Sequence, residues 1–274
     1  MYTLNSRQKS LHLASPAVMG ILNVTPDSFY NKGQHTDTDS LLRNAEIMLK
    51  HGAAILDVGG ASTKPGQPLI DTEEELKRVV PAITAIRRAH PDVWISVDTY
   101  HARVAAEAVV AGADMVNDIS AAAFDPAMLT TVGGLGVPYI AMHIQGTPAT
   151  MQLNPQYTHV VPEVRRHLWQ AISKATEAGI KDIVVDPGFG FGKTVAHNYD
   201  LLRMLGTFTT MGRPVLVGLS RKSMICKPLK VNPENALNGT TALHMAALMH
   251  GANILRVHDV KEATETVALY NELR

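Results

Sequence analysis

Eight positions set polar side chains directly after short apolar runs. In order these are Asn23, Asp57, Asp98, Asn117-Asp118, His143, Asp186, Ser220-Arg221-Lys222 and Arg256-Val257-His258-Asp259. Their types divide into two chemistries. Asp98, Asn117 and Asp186 bring carboxylate acceptors and one amide, which suit a flat heterocycle rich in N–H donors. Arg256, His258, Arg221 and Lys222 bring donors and positive charge, which suit a phosphate or carboxylate. Asn23 supplies a neutral oxygen that could ligate Mg²⁺, an ion that takes few protein ligands and keeps phosphate and water around it. Two plainer roles compete with these. Asp98, followed by Thr99, could cap the next helix. The cations could form an internal salt-bridge network with Asp259.

Other candidate motifs fail on spacing. Gly188-Phe189-Gly190-Phe191-Gly192-Lys193-Thr194 ends like a phosphate-binding loop, but the position that must hold its first glycine is Pro187. The histidines lack the spacing of a zinc helix, and no nucleophile elbow is present. The segment Gly59-Gly60-Ala61-Ser62-Thr63-Lys64-Pro65-Gly66 reads as a candidate mobile loop, with glycines at both ends. Cys226 reads as a structural thiol.

The elements that must position the eight polar ends can be read from apolar patterning. Strand-like runs occur at residues 18–24, 54–58, 94–97, 115–119, 139–142, 183–185, 214–219 and 254–257. They are apolar on both faces, as buried parallel strands are. Helical patterns occur between and after them, over residues 39–51, 72–89, 102–111, 126–132, 162–178, 198–205, 240–249 and 261–273. Thr72 is expected to cap the acidic turn Glu73-Glu74-Glu75. Gly52, Gly112, Gly179 and Gly251 suit helix C-termini with positive φ. Eight strand–helix units in one chain without a linker predict a single (β/α)8 barrel over residues 1–274, with its site at the carboxyl ends of the strands. A doubly wound open sheet is the alternative.

Composition has a globular balance, not a disordered one. The 274 residues are 46% hydrophobic and 18% charged, with 25 basic and 25 acidic side chains. Zero formal charge argues against broad nucleic-acid or polybasic membrane binding. One cysteine precludes an internal disulfide, so a cytoplasmic location is expected. No apolar run is long enough to span a membrane. Residues 7–22 only faintly resemble a signal peptide, being broken by His12, Ser15 and Pro16.

Several motifs together resemble the dihydropteroate synthase family. Met19-Gly20-Ile21-Leu22-Asn23-Val24-Thr25-Pro26-Asp27-Ser28-Phe29 is similar to its opening signature. Ser96-Val97-Asp98-Thr99, Asn117-Asp118-Ile119, Met142-His143 with Gly146-Thr147-Pro148, Asp186 to Lys193, Ser220-Arg221-Lys222-Ser223 and Arg256-Val257-His258-Asp259 follow in the family's order. The resemblance implies a homodimeric pterin-binding barrel. It implies condensation of 6-hydroxymethyl-7,8-dihydropterin pyrophosphate with p-aminobenzoate, giving 7,8-dihydropteroate and pyrophosphate with Mg²⁺ assisting, and competition by sulfonamides. It assigns Asp98, Asn117, Asp186 and Lys222 to the pterin, with Ile119 and Met142 lining the pocket, and makes Asp98, Asp186 and Lys222 the catalytic candidates. It assigns Asn23, Arg256 and His258 to pyrophosphate and Mg²⁺, and Thr63, Pro65, Phe191, Arg221 and Ser223 to p-aminobenzoate.

Two loops depart from the family's pattern. Asn31 and Lys32 stand where an acid and a glycine are usual, and Ala61 and Lys64 where an acid and an arginine are usual. Loss of an acid near a developing cation predicts a slower chemical step. A diverged, weakly active or non-catalytic pterin-binding paralogue is therefore the alternative function.

Overall fold

A computed structural model describes residues 2–7, 9–24, 37–62 and 66–274. The chain opens with an antiparallel hairpin, β1 (Thr3–Ser6) and β2 (Lys9–His12). Apolar patterning does not disclose it, because four residues a side is too short for a clear alternation. The hairpin lies under the barrel floor. Leu4 and, just beyond the hairpin, Leu13 are buried in the floor cluster.

The barrel strands are β3 (Ala17–Asn23), β4 (Ile55–Gly59), β5 (Trp94–Asp98), β6 (Met115–Asp118), β7 (Tyr139–Met142), β8 (Ile183–Asp186), β9 (Leu216–Val217) and β10 (Ile254–Val257). All pair in parallel in the order β8-β7-β6-β5-β4-β3-β10-β9. A bridge between Val185 and Val215 joins the two ends, with Val185 N–H donating to Pro214 O at 3.0 Å. The seventh barrel strand, β9, is shorter than its apolar run suggests. Pro214 has no N–H to donate, and Val215 N–H is taken by Asn253 Oδ1 at 2.9 Å.

Ten α-helices surround these strands among the described residues: α1 (Asp37–Lys50), α2 (Thr72–Ala89), α3 (Ala102–Ala111), α4 (Met128–Leu135), α5 (Val160–Glu177), α6 (Val195–Arg203), α7 (Gly206–Thr209), α8 (Ser223–Leu229), α9 (Leu237–Met249) and α10 (Val260–Glu272). The four helix-ending glycines have φ of 94°, 124°, 86° and 95°, as expected. One cap differs from expectation. Asp71, not Thr72, caps α2 and accepts Glu73 N–H at 2.9 Å. A carboxylate there satisfies the free N–H and also meets the positive helix end.

Side chains two residues apart on a strand share a face, and this sorts the interior into layers. Met19, Ile55, Trp94, Met115, Ile140, Val184, Leu216 and Ile254 pack together as the lower layer. Two residues further along each strand come Ile21, Asp57, Ser96, Asn117, Met142, Asp186, Gly218 and Arg256. The interior therefore changes from apolar to polar within one pleat.

Candidate active site

Arg256 ties the polar layer together. Its Nε donates to Asp57 Oδ2 at 2.6 Å and its Nη2 to Asp98 Oδ2 at 2.5 Å. Asn117 Nδ2 donates to the same Asp57 oxygen at 3.1 Å. Four strands thus contribute to one buried network. Asp98 does not cap a helix: Asp125 Oδ2 accepts the first N–H of α3, from Ala102, at 2.8 Å. Asp57 has no assigned role in the sequence analysis. Its strand-end position and its spacing from Ile55 are the signals that point to it.

Asp186 and Lys222 extend this network across the mouth. Asp186 Oδ1 accepts Gly188 N–H at 2.7 Å. Lys222 Nζ donates to Phe189 O at 2.5 Å and stands 4.6 Å from the centre of the Phe191 ring. Burial dominates the ionisation of all three groups. It pushes Asp98 up to about 7 against the opposing pull of Arg256, with Asp57 adding to the rise. It raises Asp186, with Lys222 opposing. It lowers Lys222 to about 8, with Asp186 opposing. Three carboxyl groups, Asp57, Asp98 and Asp186, therefore share the pocket with two cations, Arg256 and Lys222. Such a site favours a donor-rich ring and any positive charge that develops on it.

Beside this floor stands an apolar wall. Ile119, Met142 and Phe191 cluster with Ala61, Tyr100, Ile144 and Met151. The structure brings the expected lining residues together and puts Ala61 among them. An acid at position 61 would face apolar neighbours here, so the alanine suits its surroundings.

The anion end differs from the simplest reading. Arg221, with φ of 56°, is committed to Asp259 through Nε at 2.9 Å and Nη2 at 2.5 Å. The internal pairing with Asp259 that competes with anion binding is therefore present. Arg256 likewise spends two donors on carboxylates. His258 is exposed, with Nδ1 3.0 Å from Ser220 Oγ, and Ser223 opens α8 as an exposed residue. Asn23 ends β3 at the exposed rim. Thr63 and Pro65 lie outside the described residues, as do Asn31, Lys32 and Lys64.

The second loop is held at both ends. Arg78 Nη1 donates to Gly60 O at 2.9 Å. Ile70 N–H donates to Tyr100 Oη at 2.9 Å, and His101 Nε2 lies 3.1 Å from Ile70 O. Gly66 N–H reaches Pro148 O at 3.0 Å. Behind the first end lies Glu75, fully buried, with burial pushing it up to about 8. In the sequence Glu75 stands out only as part of an acidic helix start.

No helix among the described residues is long and apolar enough to cross a membrane. No group of three or more His, Cys, Asp or Glu side chains among them forms a metal cage.

Known proteins agree with this architecture. The family described as pterin binding enzyme matches residues 19–258. The dihydropteroate synthase of Escherichia coli (strain K12) is 46% identical over 260 residues, covering 94% of this chain and 92% of its own. A Yersinia pestis dihydropteroate synthase solved with a sulfonamide drug superposes with a TM-score of 0.93 at 43% identity, covering 100% of this chain and 99% of its own. A Xanthomonas albilineans dihydropteroate synthase in complex with 7,8-dihydropteroate gives 0.90 at 38% identity, covering 99% and 98%.

Proposed function

The chain belongs to the dihydropteroate synthase family, transferases of folate synthesis, and we propose how its own residues carry that condensation. The reading rests on the buried Asp57–Arg256–Asp98 network beside Asp186 and Lys222, set against the Ile119–Met142 wall. Asp98, Asn117 and Asp186 pair with the edge of the dihydropterin ring, Lys222 donates to it, and Ile119 and Met142 cover its face. Arg256, His258 and Asn23 meet the pyrophosphate. Phe191, Arg221 and Ser223 receive p-aminobenzoate, together with Thr63 and Pro65.

The carbon–oxygen bond to pyrophosphate breaks first, and both electrons leave with the pyrophosphate. The positive charge left on the methylene spreads into the pterin ring, where Asp98 and Asp186 stabilise it. The aniline nitrogen then forms the new carbon–nitrogen bond and releases a proton to water or to pyrophosphate. His143 is given no proton-transfer role, because burial, with Lys193 Nζ 2.9 Å from its Nδ1, holds it far below the usual histidine value. The residues present suit Mg²⁺ held by few protein ligands, since Asn23 offers an exposed rim oxygen. When bound, the ion would neutralise charge on the leaving pyrophosphate.

The comparisons carry no support for a non-catalytic paralogue. Sulfonamide competition is proposed from the drug complex of the Yersinia pestis relative. A cytoplasmic location is proposed from the single cysteine. A homodimer is proposed too, with α9 at its interface. That helix is apolar around most of its girth and leaves Met249 exposed, and Leu229, which approaches it at Gly239, is exposed as well. Light scattering would return the monomer mass if the dimer is wrong. The functional test is pyrophosphate release from the dihydropterin pyrophosphate with Mg²⁺, omitting p-aminobenzoate in a parallel reaction. Release that depends on p-aminobenzoate is expected; binding without release would overturn the catalytic reading.

A further inference from the structure

The glycine-rich turn after β8 ends in Lys193, whose side chain points inward and not to solvent. The residue is 2% exposed. Its Nζ meets Gly188 O at 2.8 Å, Phe191 O at 2.9 Å and His143 Nδ1 at 2.9 Å, with His143 O at 3.3 Å. Burial pulls Lys193 well below the usual lysine range, with Asp186 opposing; charged or neutral, its N–H groups face backbone carbonyls, which can only accept, and when it is charged His143 Nδ1 must accept as well. Burial and the neighbouring ammonium both hold His143 down, to about 2.

The turn has no room to settle elsewhere. A Cβ on Gly188 would lie 1.9 Å from His143 O, and one on Gly192 would lie 2.5 Å from Gln145 O. Gly190 N–H donates to Asn198 Oδ1 at 2.7 Å, and Tyr157 Oη donates to Gly192 O at 2.8 Å. The same turn presents the Phe189 carbonyl and the Phe191 ring to Lys222. An apolar side chain would fill the space of the Lys193 stem without desolvating a charge. What the amine adds is direction, since its N–H groups fix acceptors from two segments at once. Its charge also opposes the effect of burial on Asp186.

We propose that Lys193 is a positioning residue: it locks the turn from Gly188 to Gly192 onto the end of β7 and thereby places the two groups that hold Lys222 against the pterin. The inference rests on Lys222 being a pterin-holding group.

The test is a double-mutant cycle read as affinity for 6-hydroxymethylpterin by calorimetry. Lys193→Met should weaken binding about ten-fold in the wild-type background and less than about two-fold in a Lys222→Ala background. Equal losses in both backgrounds, or unchanged affinity in Lys193→Met, would overturn the proposal. Should Lys193→Met not fold, His143→Leu removes one acceptor and keeps the cation. It should weaken binding about three-fold, again only where Lys222 is present; the same loss without Lys222, or none with it, would overturn the proposal. The readout does not depend on turnover. Wild-type protein that binds pterin but releases no pyrophosphate would refute the catalytic reading alone and leave the cycle readable.

Discussion

The two interior layers of the barrel are made by the same eight strands, one pleat apart, and they do opposite things. The lower layer, from Met19 to Ile254, is apolar and closed from below by Leu4 and Leu13. The upper layer holds Asp57, Asn117, Asp186 and Arg256, with Asp98 above. Burial in the lower layer favours folding through apolar area removed from water. Burial in the upper layer opposes ionisation, raising Asp98 and Asp186 and lowering Lys222. Stability and chemistry are thus separated by height along each strand, not by strand.

The most severe test of this separation is to remove chemistry and look for lost stability. Lys222→Ala should reduce turnover by about a thousand-fold, while its melting temperature stays at or above that of wild type. A large fall in melting temperature would show that the upper layer also holds the fold. The converse substitution, Met115→Ala, should cost about 2–5 kcal/mol in denaturant unfolding. Its kcat/KM below the transition should stay within about two-fold of wild type.

Ionisation distinguishes the layers more finely. Catalysis needs Asp98 ionised and Lys222 charged, and burial brings them to about 7 and about 8. The pH profile of kcat/KM should therefore be a narrow bell, falling about ten-fold per pH unit beyond each limb. A profile that stays flat to roughly one pH unit beyond each limb would refute the assignment. Glu75 tests the same burial effect beside the site, behind Gly60. Its pKa is raised from 4.5 to about 8, so the stability it contributes is fully present below 4.5 and is lost as pH rises through 8. Glu75→Gln does not titrate, so its melting temperature should rise relative to wild type across that window, by about 2–4 °C or more. A difference independent of pH would show that Glu75 does not titrate as inferred. The smallest effect is expected from Asn31→Asp, which should raise turnover a few-fold by restoring the acid that the family resemblance assigns to this loop. An unchanged or lower rate would sink that idea.

Much of this organisation is legible in the amino-acid sequence. The bounds of β7 follow from the run 139–142, because a strand buried on both faces is written as a continuous apolar stretch, and those of β10 from the run 254–257, which Arg256 alone interrupts. The helix-ending glycines are legible because positive φ restricts the choice of residue. Partners are not legible. Nothing local says that Arg256 meets Asp57 and Asp98, which are 199 and 158 residues away. Lys193 reads as a loop cation because burial of a lysine depends on acceptors from another strand. The hairpin stays hidden because its apolar residues match a barrel floor that does not exist until the strands close.

That closure sets the order of events as the chain is made. The register of β3 and β10 pairs Ala17 with Ile254 and Gly20 with Val257. On the ribosome β3 emerges with a bare edge, and its permanent neighbour β10 appears only after all the other barrel strands. An uncovered edge is a template for pairing with other chains, and contacts so distant in sequence form slowly. Nascent chains stalled before residue 254 should therefore be natural clients of chaperones, and the emergence of β10 is the event that removes the hazard.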